Sequence, residues 1–452
     1  MSKVRLRCYC HGLGDCTLVE IARPAGGAFW MLIDCGIHGS AKGGPAKMAA
    51  VVADIGALTT HLDVVVATHE HWDHISGFQS PGLAGFTVGE VWLAWTENPA
   101  DAQAQKLDKF KGEALVALTG AADRARMQAA SPAAAALAQG LDALLGFEFG
   151  IAGEKSRAAR DAVVRLAPGH VRYLEPGAML PLPTGLGVTA YVLGPPRDEK
   201  ALGVRDGANS YGLAASLSAS FGLADGTIGV DEDPGAPFDE TEGLILSALP
   251  ATGRHAEFLR DRYTGAAAGL PKVRPGDPDP PQADQKWRRI DGDWLGTAAD
   301  LALQLDDRTN NSSLVLALSL APDGEILLFA ADAQLGNWGT WGAVRFPDGT
   351  TGPDLLARTS FYKVGHHGSA NATMKTGGLE AMTRPGLTVF VPTDEVMAKK
   401  VGWGAIPAEG LMTRLGEKGK VTRSDDVGGR LAVDFHFGGA VAKIRRRTRK
   451  PV

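Results

Sequence analysis

The chain has 452 residues, enough for a large core and for two domains by length alone. Its residues are 44% hydrophobic and 21% charged, with a formal net charge of −5, which argues against strong non-specific attraction to nucleic acid. No window approaches the roughly 18 consecutive apolar residues of a membrane span, and the N-terminus from Met1 to Arg7 lacks a signal-peptide pattern, so a cytoplasmic protein without membrane contact is expected.

Residues 4–10 and 16–22 read as strands joined by the turn Gly12-Leu13-Gly14-Asp15, and 29–34 as a buried strand closed by Cys35-Gly36. All four cysteines (Cys8, Cys10, Cys16, Cys35) fall here without a CxxC pair, which predicts buried reduced thiols. A helix is expected over 45–58. Val64-Val65-Val66-Ala67 is a β-branched run suited to a strand buried on both faces. Val91 to Trp95 is another strand. Residues 100–166, rich in Ala, Leu, Lys, Gln and Arg, read as a helical insertion of two or three helices. Strands return at 170–196. The span 197–304 reads as an irregular insertion, with an exposed loop at 272–285 dense in Pro, Gly and charge. Further strands are expected at 313–318, 325–330, 388–392 and 431–436. The basic run from Lys443 to Lys450 reads as a solvated tail, with phosphate contact as the alternative.

The division that follows is 1–99 for the first half of a core, 100–166 and 197–304 for the insertions, 167–196 for core strands, and 305–452 for the second half with its basic tail. Strands and helices mix, and the chemistry falls at strand ends.

At the carboxyl end of the 64–67 strand, His69, His71, Asp73 and His74 fall within six residues, in a chain with 11 histidines. Imidazole and carboxylate suit zinc and similar divalent ions. The spacing H-x-H-x-D-H offers two ligands to one ion and two to its neighbour. Glu70 and Trp72 occupy the intervening positions and are expected to face elsewhere.

The segment from Thr68 to His74 resembles the signature of the metallo-β-lactamase superfamily. The wider pattern resembles one branch of it, the hydrolase domain of the ComEC/Rec2 competence protein. The pieces that carry this second likeness are Gly12 to Asp15, Ile33-Asp34-Cys35-Gly36, Asn310 to Leu316, Phe329-Ala330-Ala331-Asp332, and Lys363 to Ser369 with its His366-His367 pair. The resemblance implies an α+β fold, an αββα four-layer sandwich with helical and irregular insertions. It implies that Asp332 bridges two ions and that one of His366 and His367, with His366 favoured, completes the second shell. Asp15 and Asp34 then stand as groups orienting ligand histidines, and Asn310, Ser313, Lys363 and Ser369 as supporting or substrate-facing groups.

Three positions depart from the family pattern. Ala331 stands where the family has glycine. The further histidine that many members give the first ion has only His170 and His255 as candidates. Ile406-Pro407 replaces a late His-Pro of the branch, so an imidazole facing the substrate is missing.

The function implied is a two-metal hydrolase. Ions about 3.5–4 Å apart share a water and make a bridging hydroxide available, with Asp73 and Asp332 as the central carboxylates. Two Zn²⁺ ions are expected, with Mn²⁺ as the alternative. The branch points to phosphodiester bonds, in a nucleic acid or nucleotide. A carbonyl hydrolase (lactonase, lactamase or thioesterase) and a partner-activated or non-catalytic subunit, docking through the insertions, are the other readings, since one fold carries many chemistries.

Overall fold

The computed structural model describes residues 3–127, 132–145, 154–183, 185–204, 252–263, 293–401 and 403–438. Two seven-stranded sheets form its centre. The first contains β1 (Val4–Tyr9), β2 (Cys16–Ala22), β3 (Ala28–Cys35), β4 (His61–Val66), β5 (Thr87–Ala94), β6 (Val171–Leu174) and β14 (Ala432–Phe437). Its order is β14-β1-β2-β3-β4-β5-β6. The second contains β7 (Met179–Pro181), β8 (Thr189–Gly194), β9 (Val315–Ser319), β10 (Ile326–Phe329), β11 (Thr359–Lys363), β12 (Leu387–Val391) and β13 (Gly419–Arg423), ordered β13-β12-β11-β10-β9-β8-β7.

Each sheet has an antiparallel half and a parallel half. In the first, β3, β4, β5 and β6 run parallel; in the second, β10, β11, β12 and β13 do. The β-branched run at Val64, Val65 and Val66 sits between two parallel neighbours, which buries both of its faces.

The helices are α1 (Gly44–Leu58), α2 (Trp72–Ile75), α3 (Ala102–Met127), α4 (Pro132–Ala143), α5 (Glu154–Leu166), α6 (Glu199–Leu202), α7 (Arg254–Tyr263), α8 (Asp293–Asn311), α9 (Leu335–Trp338), α10 (Gly352–Ala357), α11 (Glu395–Lys400) and α12 (Glu409–Lys418). Between the sheets lies a core that takes Leu6, Ile21, Met31 and Val66 from one and Leu316, Leu327, Phe329 and Phe361 from the other. Outside the first sheet, Val51 and Ile55 of α1 pack with Ala159 and Val163 of α5. Outside the second, Trp338, Leu355, Leu356, Leu411 and Leu415 do the same. The layers are therefore helix, sheet, sheet, helix: an αββα sandwich. A separate helical cluster joins α3, α4 and α8 through Leu115, Leu118, Leu137, Leu141, Ala302 and Leu305.

Several details differ from the sequence reading. The span 197–304, expected to be irregular, holds α6 and α7, and α8 runs through its end to Asn311. The apolar positions of α8 (Leu295, Ala298, Ala299, Ala302, Leu303, Leu305) follow helical spacing and bury against α3 and α4. Strand β13 was not anticipated. It lies at a sheet edge and is mostly half-buried, so it lacks the alternating apolar pattern that marks a strand. The loop at 272–285 and the basic tail at 443–450 fall outside the described residues. All four cysteines are free thiols. Among the described residues, no helix is long and apolar enough to cross a membrane.

Candidate metal centre

The chemistry-bearing residues leave the carboxyl ends of parallel strands, the crevice where open α/β sheets present their sites. Asp34 is the penultimate residue of β3, β4 leads to His69–His74, β10 to Asp332, and β11 to His366 and His367. Close backbone approach makes this possible. A Cβ on Gly36 would lie 2.3 Å from the carbonyl carbon of Asp73 and 2.4 Å from the amide nitrogen of His74, so only glycine lets the end of β3 reach the histidine loop. Asp34, Ala331, His366 and His367 all have positive φ (54°, 48°, 45° and 52°). For non-glycine residues this region is strained, and strain of this kind gathers at functional sites. Ala331 thus adopts a backbone conformation that glycine would take freely.

His69, His71, Asp73, His74, Asp332 and His367 are each at most 2% exposed. Their ligand atoms form two groups that share Asp332: His69, His71 and Asp332, and Asp73, Asp332 and His367, each within 4.8 Å. His69 Nε2 lies 3.1 Å from His71 Nδ1. His367 Nε2 lies 2.7 Å from Asp73 Oδ2, and its Nδ1 lies 2.8 Å from the carbonyl of Pro392. A third group joins His74 to Asp15 and Asp34. His74 Nδ1 sits 2.8 Å from Asp34 Oδ2, while its Nε2 faces Asp332 Oδ2 at 3.2 Å and Asp73 Oδ2 at 3.8 Å.

The late pair sorts differently from the sequence preference. His367, not His366, joins Asp73 and Asp332. His366 is only half-buried; its backbone N–H donates to Asp332 Oδ1 (2.8 Å) and its Nδ1 lies 3.1 Å from Ser369 Oγ. Two successive residues with positive φ turn the second imidazole inward and leave the first at the rim.

The supporting residues also find definite places. Asp34 accepts hydrogen bonds from the backbone N–H and hydroxyl of Thr68 (both 2.8 Å), fixing the start of the histidine loop. Ser313 Oγ accepts the backbone N–H of Asp332 (3.1 Å). Asn310 Nδ2 donates to Asp306 Oδ2 (3.1 Å), and Ser369 Oγ donates to Asn371 Oδ1 (2.7 Å). Lys363 is 4% exposed and ion-paired with Asp15, so of the two roles offered by the sequence, supporting or substrate-facing, its place is the supporting one: it neutralises a buried carboxylate. His170 and His255 are both exposed, which removes them from the centre. Ile406 is buried with Leu13, Ala398 and Trp403.

Sequence reasoning missed three features. Glu70 does turn away from the metal cluster, but into a buried ionic cluster: it pairs with Lys111 of α3 and lies 3.9 Å from Arg160 of α5. Asp306 of α8 lies 3.8 Å from His71 Nε2. His38 packs edge-on against Trp403 (4.7 Å between ring centres), which also stacks on His367 at 5.8 Å. No local motif announces these contacts, because each partner comes from a distant segment.

The electrostatics suit cations. Burial pushes the His71 imidazolium pKa down to about 4 and holds His69 well below its ordinary value, so both are neutral donors near pH 7. Burial opposes charge on His74 too, but Asp332, Asp73, Asp15 and Asp34 outweigh it and raise its pKa well above the usual value. Burial would raise Asp73 and Asp332, yet His74, followed by other histidines, holds both carboxyls below their ordinary range. Asp15, Asp34, Asp73 and Asp332 are thus packed in one buried region beside a single lysine, Lys363. Such a concentration is costly without further positive charge. Asp73 Oδ1 is buried without a hydrogen-bond partner among the described residues. A carboxylate oxygen left over in this way, beside the neutral imidazoles of His69 and His71 and the ionised Asp73 and Asp332, fits a pair of divalent ions.

A family model described as the metallo-beta-lactamase superfamily matches residues 11–80. The matched segment contains Asp15, Asp34 and the whole His69–His74 cluster, and the αββα architecture around it is the one that superfamily uses. No curated protein matches the chain.

Proposed function

We propose that this protein is a metal-dependent hydrolase with two divalent ions, Zn²⁺ or alternatively Mn²⁺, acting on phosphodiester bonds in a nucleic acid or nucleotide. The observation that carries the reading is the convergence of His69, His71, Asp73, Asp332 and His367, all buried, from three separated segments into two groups joined by one carboxylate. His69, His71 and Asp332 would hold one ion; Asp73, His74, Asp332 and His367 would hold the other. Ions bound there supply an activated water and polarise the scissile group.

The chain's own residues prepare that chemistry. Asp34 holds Nδ1 of His74 and leaves Nε2 facing the two central carboxylates. The carbonyl of Pro392 does the same for His367. Ser313 fixes the backbone at Asp332, and Lys363 balances Asp15 behind the ligands. Outer partners of this kind set ring orientation and tune ligand basicity.

Phosphodiesters are favoured by the competence-branch likeness, which rests on Asn310 to Leu316, Asp332 and His366 to Ser369. A second reading, carbonyl hydrolysis, draws on one observation: Lys363 is committed to Asp15 and not turned toward a phosphate. The cytoplasm is the proposed compartment, in keeping with four free thiols.

The test is a substrate panel on the Zn²⁺- or Mn²⁺-loaded full chain: labelled single- and double-stranded DNA, bis(p-nitrophenyl) phosphate, a lactone and a thioester. A His71→Ala/Asp73→Ala chain is the control. Turnover of the phosphodiesters that vanishes in the control is expected. Turnover confined to the lactone or thioester would replace the substrate class, and none on any substrate would favour the partner-activated or non-catalytic subunit.

A further inference from the structure

The first ion's group offers two imidazoles and the shared Asp332, and no further histidine reaches it among the described residues. His69 Nε2 and His71 Nδ1 face each other at 3.1 Å, so these are the nitrogens turned toward a common ion. That leaves His71 Nε2 pointing outward. At 3.8 Å from it lies Oδ1 of Asp306, a residue 4% exposed on α8. Asp306 is itself held: Asn310, one turn further along the same helix and fully buried, donates from Nδ2 to Asp306 Oδ2 at 3.1 Å. The i,i+4 spacing puts both side chains on one face.

We propose that Asp306 is a positioning residue for the first metal site, an outer carboxylate that holds His71 with Nδ1 directed at the ion. The inference rests on the reading of this cluster as a two-ion centre. A ligating histidine generally gives its second ring nitrogen to a carboxylate or carbonyl, which fixes its tautomer and orientation. His74 has Asp34 and His367 has Pro392 in this role, each at hydrogen-bond distance (2.8 Å); Asp306 stands in the corresponding place for His71, at 3.8 Å, one short side-chain adjustment from a hydrogen bond.

The origin of Asp306 gives the contact a wider meaning. Helix α8 is packed into the cluster of α3 and α4 through Ala298, Ala302 and Leu305. Lys111 of α3 grips Glu70, the residue just before His71. Two helices of one packed unit therefore take hold of consecutive residues of the histidine loop from outside the sandwich. The helical unit thereby braces the first metal site.

The experiment is titration of the metal-free full chain with Co²⁺, followed by visible absorption and by metal analysis. It compares the wild type with Asp306→Ala, Asp306→Asn and, as an exposed control on the same helix, Asp300→Asn. The wild type and Asp300→Asn should take up two ions with two resolvable affinities. Asp306→Ala should keep the ion of Asp73, Asp332 and His367 and bind the other roughly 10–100-fold more weakly, with a changed absorption band. Asp306→Asn retains an oxygen acceptor for the imidazole and should recover part of that loss; it also serves if the alanine chain does not fold. Two ions bound with wild-type affinity and spectrum in both Asp306 variants would overturn the proposal while leaving the metal centre intact. A wild type that binds no Co²⁺ would overturn the two-ion reading and this inference together.

Discussion

At the scale of single residues, the centre depends on which histidines carry protons. In the metal-free chain, burial works against charge on His74 and His367, but the neighbouring carboxylates win and raise both pKa values. An ion needs these rings neutral, so loading must expel protons. The sign follows directly. Metal affinity should climb with pH while those histidines are being deprotonated, and then level off. In the metal-free chain the same raised values add stability that is fully present below the unfolded histidine pKa of about 6.5 and is lost as pH rises through the folded values. Calorimetric Zn²⁺ titration at pH 7 in buffers of different ionisation enthalpy should show net proton release. Zero release would mean that the rings are already neutral.

The residue scale is also where sequence served best. His69, His71, Asp73 and His74 are adjacent in the chain, so their joint chemistry is visible in one window. The choice between His366 and His367 was not visible, because it turns on two consecutive positive-φ residues that composition does not encode. Asp306 gave no signal for a different reason. An aspartate in mid-helix is ordinary until the tertiary fold sets it beside His71.

Among elements, the junction of α3, α5 and the histidine loop is the most demanding. Glu70, Glu97 and Asp108 meet Lys111 and Arg160, with Arg160 3.3 Å from Glu97 and 3.5 Å from Asp108. Burial would raise the Glu70 pKa, but Lys111 and then Arg160 hold it below its usual value; Glu97, buried beside Glu70, is pushed up. A buried pair adds little net stability over an apolar substitute, but removing one partner strands a charge. Lys111→Met should therefore destabilise the chain by about 3–5 kcal/mol, measured by urea unfolding. Adding Glu70→Gln should recover part of it, with a coupling of about 0.5–3 kcal/mol. Additive effects would show that Glu70 and Lys111 do not act as a pair. In the sequence Lys111 is one of several basic residues of the helical insertion at 100–166, and only the contact of α3 with the loop singles it out.

For the whole molecule, the strands were legible where burial is complete. The runs at 64–67 and 325–330 are continuous apolar segments because both faces are covered, and they became β4 and β10. Edge elements and the helical unit were harder. β13 is half-exposed, and α8 lies beside α3 and α4 only through contacts spanning more than 150 residues of chain. The sandwich brings the ends of β3, β4, β10 and β11 to one crevice, and the helical unit meets the histidine loop there through Lys111 and Asp306. The central claim is that this crevice is a catalytic two-ion centre. Its most direct test is the rate of bis(p-nitrophenyl) phosphate hydrolysis by the metal-free full chain as Zn²⁺ or Mn²⁺ is added in measured equivalents. The rate should rise to a plateau at two ions per chain and be lost in Asp332→Ala, which removes the shared ligand. A rate independent of added metal, or one that survives in Asp332→Ala, would contradict it.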